Sequence, residues 1–383
     1  MKLSLALISL ALITACAAEF TDAPVAADEN RGKHDPATKG GIRLGLNWLR
    51  DHQDEDGRWD ADDFAKHDAG EARAAGPGNP IHDVGLTGLA LLAFLGDGST
   101  MSSGPHREVV RDAVGWLVTQ QGDDGLFGTN ASHDYIYDHA IATLAMVEAY
   151  GLSAAQDLRP HAQKGIDYLE RHRNPHMVWR YQPRGGDNDT SITGWATLAC
   201  KAAQDFKLQI NPETLDLCAA WLEEVTDPAT GVCGYTKRGE SSSRHPGDHV
   251  TRYPPKRGAA MTAVGLMCRF FLGQTPKEHP VMNRAADTIL SKPPRWDEED
   301  GSIDHYYWYY GTYALYQMGG DHWKTWAKHM TTAVVQTQRT EGDLAGSWDP
   351  VGVWGQDGGR VYSTAMMTLT LEVYYRYARV LVR

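Results

Sequence analysis

Gln53-Asp54-Glu55-Asp56-Gly57-Arg58-Trp59 closes an apolar segment that begins near Gly40, and Gln120-Gln121-Gly122-Asp123-Asp124-Gly125-Leu126-Phe127 closes the next one in the same way. Outward from these two turns the pattern recurs. Trp48-Leu49, Trp116-Leu117, Tyr168-Leu169, Trp221-Leu222 and Ile289-Leu290 each lead into such a turn, and Gln336, Gln338 and Gly346-Ser347-Trp348 mark a sixth. After each turn comes a second apolar segment spaced by glycine, alanine and threonine, starting near Asp83, Asp138, Asp189, Met261, Tyr309 and Tyr362. A period of roughly fifty residues indicates a repeat architecture, in which one unit cannot bury its own apolar face.

The two segment types differ in pattern. The second helices are apolar nearly all round, as in 84–95 and 141–149, which suits an inner ring covered on both sides. The first helices carry one apolar stripe among many charges, as in 108–119, and suit an outer ring. Gly88, Thr143, Gly194, Gly265 and Gly311 share one column of the inner helices. A mid-helix glycine costs up to about 1 kcal/mol, so its recurrence predicts close helix–helix approach. Gly96, Gly151, Gly273 and Gly319 form a second column, expected to stop helices in the left-handed conformation. The expectation is an all-α chain with one (α/α)6 toroid, six inner and six outer helices, over 40–383. An open solenoid is the alternative, but it needs polar end caps that the sequence does not display.

The chain has 383 residues, 42% of them hydrophobic, and a net charge of −12. That charge argues against nucleic acid, whose phosphates need clustered Lys and Arg. Residues 1–15 read as a signal peptide, with Lys2 as a minimal charged region and an apolar stretch too short to span a bilayer. Ile13-Thr14-Ala15-Cys16 resembles the lipobox of bacterial lipoproteins, which implies lipidation of Cys16, a membrane anchor and a place in the cell envelope. Ala17 after the cysteine resembles an outer-membrane sorting signal. Ordinary cleavage at Ala15-Cys16-Ala17 is the rival reading. Residues 16–39, rich in Ala, Asp, Glu and Pro, read as a tether. No CxxC pair occurs among Cys200, Cys218, Cys233 and Cys268, which excludes a zinc ribbon; a Cys218–Cys233 bridge stays open beside plain burial.

The Gln/Trp and Asp-Gly turns resemble the Q-x-x-D-G-x-W repeat of squalene cyclases and prenyltransferase β-subunits, and the chain is similar to the prenyltransferase/squalene-oxidase-repeat lipoproteins of bacteria. The resemblance implies a terpenoid cyclase-like toroid in which these turns are structural. Asp187-Asn188-Asp189-Thr190-Ser191 is similar to the D-x-D-D-T-A motif of squalene–hopene cyclases. That similarity implies a catalytic acid at Asp189, with Asp187 beside it, although Thr190 stands where the motif has its third Asp. The residues themselves offer a competing role: an Asp at a helix start satisfies orphan N–H groups, worth about 1 kcal/mol. The zinc set of the prenyltransferases does not carry over, because the one D-x-C, Asp216-Leu217-Cys218, falls on an outer helix.

In this layout the inner-helix N-termini converge on one rim, where their dipoles favour an anion. Arg184, Arg257 and Arg360 precede inner helices and could clamp a diphosphate, sulfate or carboxylate, or pair with the rim aspartates. His82 with Asp83, His133 with Asp134, Asp138 with His139, and Asp304 with His305 could hold a metal; otherwise no cofactor is expected. Trp179, Tyr181, Trp308, Tyr309, Trp354 and Tyr362 lie at or near inner-helix starts and could line a cavity for a polyisoprenoid or a sugar, or pack the core. The longest insertion, 234–258, falls on this rim. The expected function is therefore an exported, lipid-anchored toroid binding an apolar or anionic ligand at the rim, with a small molecule or the membrane as partner. The alternative is an enzyme acting on an isoprenoid or a glycan.

Overall fold

The structure, a computed structural model, describes residues 36–70 and 73–376. Helices alternate between two rings: α1 (Pro36–Asp51), α2 (Asp83–Gly96), α3 (Arg107–Thr119), α4 (Ile136–Ser153), α5 (Arg159–His172), α6 (Thr190–Asp205) and α7 (Thr214–Val225). A short α8 (Asp248–Arg252) lies in the long insertion, and α9 (Ala260–Phe271), α10 (Val281–Leu290), α11 (His305–Met318), α12 (Gly320–Val334) and α13 (Gly355–Arg376) complete the chain. The inner helices α2, α4, α6, α9, α11 and α13 each pack on the next, and α13 packs back on α2. The ring is closed, as an (α/α)6 toroid requires, and an open solenoid is excluded.

The turns weld the rings together. Gln53 Nε2 donates to Gly57 O within its turn (2.9 Å) and to Val109 O on α3 (3.0 Å). Gln121 repeats the device on Gly125 O (3.3 Å) and His161 O of α5 (2.9 Å). Gln338 does so on Gly346 O (2.8 Å) and on Gly41 O of α1 (2.9 Å), joining the last repeat to the first. Trp59, Trp179 and Trp348 donate their indole N–H to Leu49 O, Leu169 O and Val334 O at 2.8, 2.8 and 2.7 Å. Those carbonyls lie in the last turns of outer helices, where they also accept from His52 N, Arg173 N and the Thr337 hydroxyl, so each indole adds a second bond that ties the following loop to the helix end. Gly57 has φ +100°, and a β-carbon there would strike Asp112 O of α3, so glycine is what lets the turn lie flat on its neighbour.

The first glycine column does bring helices together: a β-carbon on Gly88 would come within 3.1 Å of the Ala142 backbone on α4. The second column behaves differently from expectation. Gly273 and Gly319 have φ +79° and +68°, but α4 runs on to Ser153 and stops at Ala154 (φ +52°). Gly151 instead leaves room for the Phe206 ring. Helix α1 starts at Pro36 with Thr38 buried, so the last four residues of the expected tether, 36–39, belong to the toroid. The signal peptide, Cys16 and the rest of the tether lie outside the described residues. Cys200, Cys218, Cys233 and Cys268 are free and buried, so no Cys218–Cys233 bridge forms. Among the described residues no helix is long and apolar enough to cross a membrane.

Candidate functional site

Loops joining outer to inner helices rise to the inner N-termini and wall a cavity of about 350 Å³ on the toroid axis. This lies within the roughly 300–1,000 Å³ usual for ligand pockets. Its floor is apolar: Leu86 and Leu89 from α2, Ile141 from α4, Met261 from α9. Aromatic rings form the walls, with Tyr137, Tyr181, Trp195, Tyr235, Tyr306, Trp354 and Tyr362 contributing. The polar groups are mostly acidic or imidazole: His82, His133, Asp134, Asp138, His245, Asp304 and Asp357, with Arg244.

The central polar contact is between neighbouring repeats. His82, the residue before α2, places Nδ1 3.0 Å from Asp138 Oδ2 on the first turn of α4. Burial pushes the Asp138 carboxyl above the ordinary range, and its bond to His82 only partly offsets this. Burial alone would lower the His82 imidazole, but the hydrogen bond and charge of Asp138, helped by Asp134 and Asp357, outweigh it and the net shift is upward. Gly85 makes the geometry possible, since a β-carbon there would collide with Asp138 Oδ1.

A second acid is held by the long insertion. Asp304 caps α11, accepting from Tyr307 N at 3.0 Å, and Arg244 Nη2 lies 3.3 Å from its other oxygen. Both side chains are buried, and desolvation still raises the Asp304 carboxyl against the pull of Arg244. His245 closes the same loop over the cavity, 3.0 Å from Asp357 Oδ2 and packed edge-on against Trp354. Tyr306 O–H pairs with Ser191 Oγ at 2.9 Å, and the Tyr181 and Tyr235 hydroxyls pair at 2.6 Å.

The rim residues read from the sequence therefore divide. His82, Asp138, Tyr181, Trp354 and Tyr362 line the cavity. Asp189 sits behind it, fully buried, capping α6 through Ile192 N (2.8 Å), with Tyr235 O–H at 3.4 Å and Arg180 Nε at 3.7 Å. Burial pushes its carboxyl up to about 7. Asp187 is exposed on the loop, 3.7 Å from Arg180. The capping role thus falls to Asp189 and Asp304, not to Asp83 or Asp138, which lie inside their helices. Asp83 accepts from Ala61 N (2.9 Å) and braces the 60–82 loop, with burial raising it to about 7.

The three arginines do not converge. Arg184 is exposed at φ +52° on the 173–189 loop. Arg257 lines a groove on the outer ring. Arg360 is buried just past the Gly359 kink (φ +65°), bonded to Asp349, Ser347 and Ala75. The metal reading fails for a related reason. His139 turns into the core, accepting from Phe127 N (3.0 Å) and reaching Gly165 O (3.2 Å), and burial pushes it down to about 3. His305, likewise pushed to about 3, is stacked between Trp296 and Tyr362. Among the described residues no three His, Cys, Asp or Glu side chains gather as metal ligands. Trp179, Trp308 and Tyr309 are core residues.

Sequence reading did not single out Tyr137, Trp195, Tyr235, Arg244 and Tyr306 as cavity residues. The first, second and last lie in the apolar runs of inner helices, where nothing distinguishes a lining ring from a core ring. Tyr235 and Arg244 lie in the insertion, whose placement on the rim was the one available signal.

No known protein family matches the sequence, and no curated protein does. Solved structures share the fold. An alpha-1,6-mannanase of a Salegentibacter species superposes with TM-score 0.58 at 8% identity, covering 90% of this chain and 100% of its own. The unsaturated glucuronyl hydrolase of Bacillus sp. GL1 gives 0.58 at 14% identity, covering 88% and 96%. The cellobiose 2-epimerase of Bacillus thermoamylovorans gives 0.57 at 13%, covering 88% and 97%. At these identities the similarity establishes the toroid fold.

Proposed function

We propose that the chain is an enzyme that acts on a glycan held in the rim cavity, with Asp138 and His82 as its proton-transfer pair. The observation that carries this reading is a buried carboxyl of raised pKa, hydrogen-bonded to an imidazole, on the wall of an aromatic-lined cavity. A carboxyl whose protonated form is favoured by burial can donate to a leaving oxygen, and a neighbouring carboxylate can serve as base. Asp134 and Asp357, both close enough to raise His82, are the candidates for that second role. Ring faces such as Trp354 stack against sugar C–H surfaces and fix the substrate beside the pair. A neutral sugar fits the charge better than an anion does, since the cavity's one arginine is committed to Asp304.

The fold neighbours support a carbohydrate: they include a mannanase whose inactive double-aspartate variant holds alpha-1,6-mannotriose, a glucuronyl hydrolase and an epimerase of cellobiose. A second reading, an apolar or isoprenoid ligand bound without turnover, is favoured by the floor of Leu86, Leu89, Ile141 and Met261. Cyclase-like protonation by Asp189 is disfavoured by its burial behind Tyr235. We place the protein in the cell envelope, anchored through a lipid on Cys16, a reading tested by metabolic labelling of wild type and Cys16→Ser.

The deciding experiment incubates the protein with neutral oligosaccharides of mannose and glucose and follows products by mass spectrometry and binding by calorimetry. Turnover by wild type that is lost in Asp138→Asn, with binding retained, is expected. Absence of any sugar binding, together with a polyprenyl lipid co-purifying from native membranes, would overturn the glycan reading in favour of the second.

A further inference from the structure

One wall of the cavity carries a run of hydroxyls that the Asp138–His82 pair does not use. Tyr181, on the loop before α6, and Tyr235, at the start of the long insertion, both line the cavity, and their hydroxyl oxygens lie 2.6 Å apart. Tyr235 O–H donates to Asp189 Oδ2 at 3.4 Å, while Asp189 Oδ1 accepts from Ile192 N at 2.8 Å. The chain therefore runs from the cavity wall to a carboxyl that is fully buried. Arg180 braces it: its guanidinium lies over both rings, 5.5 and 5.7 Å from their centroids, with Nε 3.7 Å from Asp189 Oδ2.

Each phenol has a single proton to give. Burial raises both phenols above their ordinary value, and the charge of Asp189 adds to the effect, so neither ionises near neutral pH. The direction of the chain is then set at its buried end. With Asp189 ionised, Tyr235 gives its proton to the carboxylate, and Tyr181 must give its own to Tyr235. Tyr181 then offers the cavity only lone pairs. With Asp189 protonated, the proton sits on Oδ2, because Oδ1 is taken by Ile192 N. Asp189 then donates to Tyr235, Tyr235 donates to Tyr181, and the Tyr181 proton turns toward the cavity.

The groups that face Asp189 from the packed elements are Arg180 and Tyr181 of its own loop, Tyr235 of the insertion, Tyr137 of α4 and Tyr306 of α11. The four phenols are all raised by burial and stay neutral. Arg180 favours the ionised carboxyl and is shared with Asp187 and Glu240.

We propose that Tyr181, Tyr235 and Asp189 form a hydroxyl-reading subsite of the rim cavity, which accepts a hydrogen bond from a ligand hydroxyl while Asp189 is ionised and donates one when Asp189 is protonated. Asp189 is a positioning residue, since it acts through the two phenols. His133 and Tyr137 frame the spot, with ring centroids 4.5 and 6.2 Å from that of Tyr181. The chain stands on its own geometry; that its ligand is a sugar rests on the proposed function.

Asp189→Asn keeps the cap through Oδ1 and puts an amide N–H where Oδ2 stood, which locks the chain in its donating sense at every pH. Isotope-edited NMR of the tyrosine ζ carbons in the full chain reads the hydrogen bonding of each phenol without any ligand, with Tyr181→Phe and Tyr235→Phe assigning the signals. In wild type the Tyr181 and Tyr235 signals should move together through one midpoint at about 7, without reaching the phenolate position. In Asp189→Asn both should stay at their wild-type low-pH positions, and in Tyr235→Phe the Tyr181 signal should lose its pH response. A carboxyl that only capped the helix would leave Tyr181, two groups away, unmoved. Calorimetry with mannotriose, cellotriose and their monodeoxyfluoro analogues adds the ligand. The analogue lacking the contacted O–H should bind about tenfold more weakly than its parent above the midpoint, the worth of roughly one hydrogen bond. That deficit should shrink below the midpoint and be small at every pH in Asp189→Asn. The proposal is overturned if the Tyr181 signal ignores pH, if it responds unchanged in Asp189→Asn or Tyr235→Phe, or if the parent sugars bind and no analogue shows a pH-dependent deficit. If neither sugar binds while the phenol signals behave as expected, the glycan reading fails and the chain stands.

Discussion

Replacing Gln338 with alanine probes whether the ring is held shut by side-chain chemistry. The buried amide donates to Gly346 O at 2.8 Å and Gly41 O at 2.9 Å, across the seam between the last and first repeats. Each such bond contributes about 0.5–1.5 kcal/mol net, and a buried acceptor left without its donor costs about 1–3 kcal/mol. Two bonds lost together therefore predict about 2–4 kcal/mol. Gln53→Ala removes the equivalent pair at an internal seam, on Gly57 O and Val109 O, in a less buried setting, and should cost somewhat less. Urea unfolding followed by circular dichroism reads both, as a lower midpoint at unchanged m-value. A Gln338→Ala cost under about 0.5 kcal/mol, beside a substantial cost for Gln53→Ala, would refute the reasoning. The closing seam would then carry no stability, and the array would behave as an open one.

Four further outcomes are expected. Asp138→Asn should lower oligosaccharide turnover by about 10²–10⁴-fold, the usual share of general acid–base catalysis, with little change in calorimetric affinity. Gly85→Ala, whose new methyl collides with Asp138 Oδ1, should reduce turnover similarly while leaving the melting temperature within a few degrees of wild type. Trp354→Ala should weaken sugar binding by about 1 kcal/mol through the lost ring face. Asp83 and Asp189 are raised to about 7 by burial, so between the ordinary carboxylate pKa near 4 and pH 7 the folded state holds protons that the unfolded state has released. Their contribution to stability is then full at low pH and falls as pH rises through 7. Asp189→Asn keeps the cap and removes one of the two ionisations, so its urea midpoint should decline less between pH 5 and pH 8 than that of wild type.

Periodicity made the architecture readable because burial acts on every repeat alike. The Gln and Trp turns, the glycine of Gly57 and the apolar inner helices each answer a demand that recurs around the ring. The cavity depends on rotations about single bonds and on loop paths, which do not recur. His82 and Asp83 are adjacent, yet the roughly 100° between consecutive helical residues sends one toward Asp138 and the other into the 60–82 loop. Asp138 and Asp189 both stand near inner-helix starts, yet one faces the cavity and the other caps a helix. Arg257 and Arg360 both stand near inner-helix starts, but a proline-rich loop carries one to the outer ring and the other is buried just past a glycine kink. Such outcomes depend on tertiary context, for which the one-dimensional pattern holds no term.

Antiparallel packing of the first and last helices fixes where the chain leaves the body. Gly41 of α1 meets Leu371 of α13, where a β-carbon would touch Leu371 Cδ1 at 3.0 Å. Pro36 and Arg376 therefore lie at the end of the toroid away from the inner-helix N-termini. Whatever precedes Pro36 joins the molecule on the side opposite the cavity mouth. An anchor joined through that end, as proposed, leaves the cavity mouth at the free end of the molecule, open to polymers too large or too hydrophilic to approach the membrane surface.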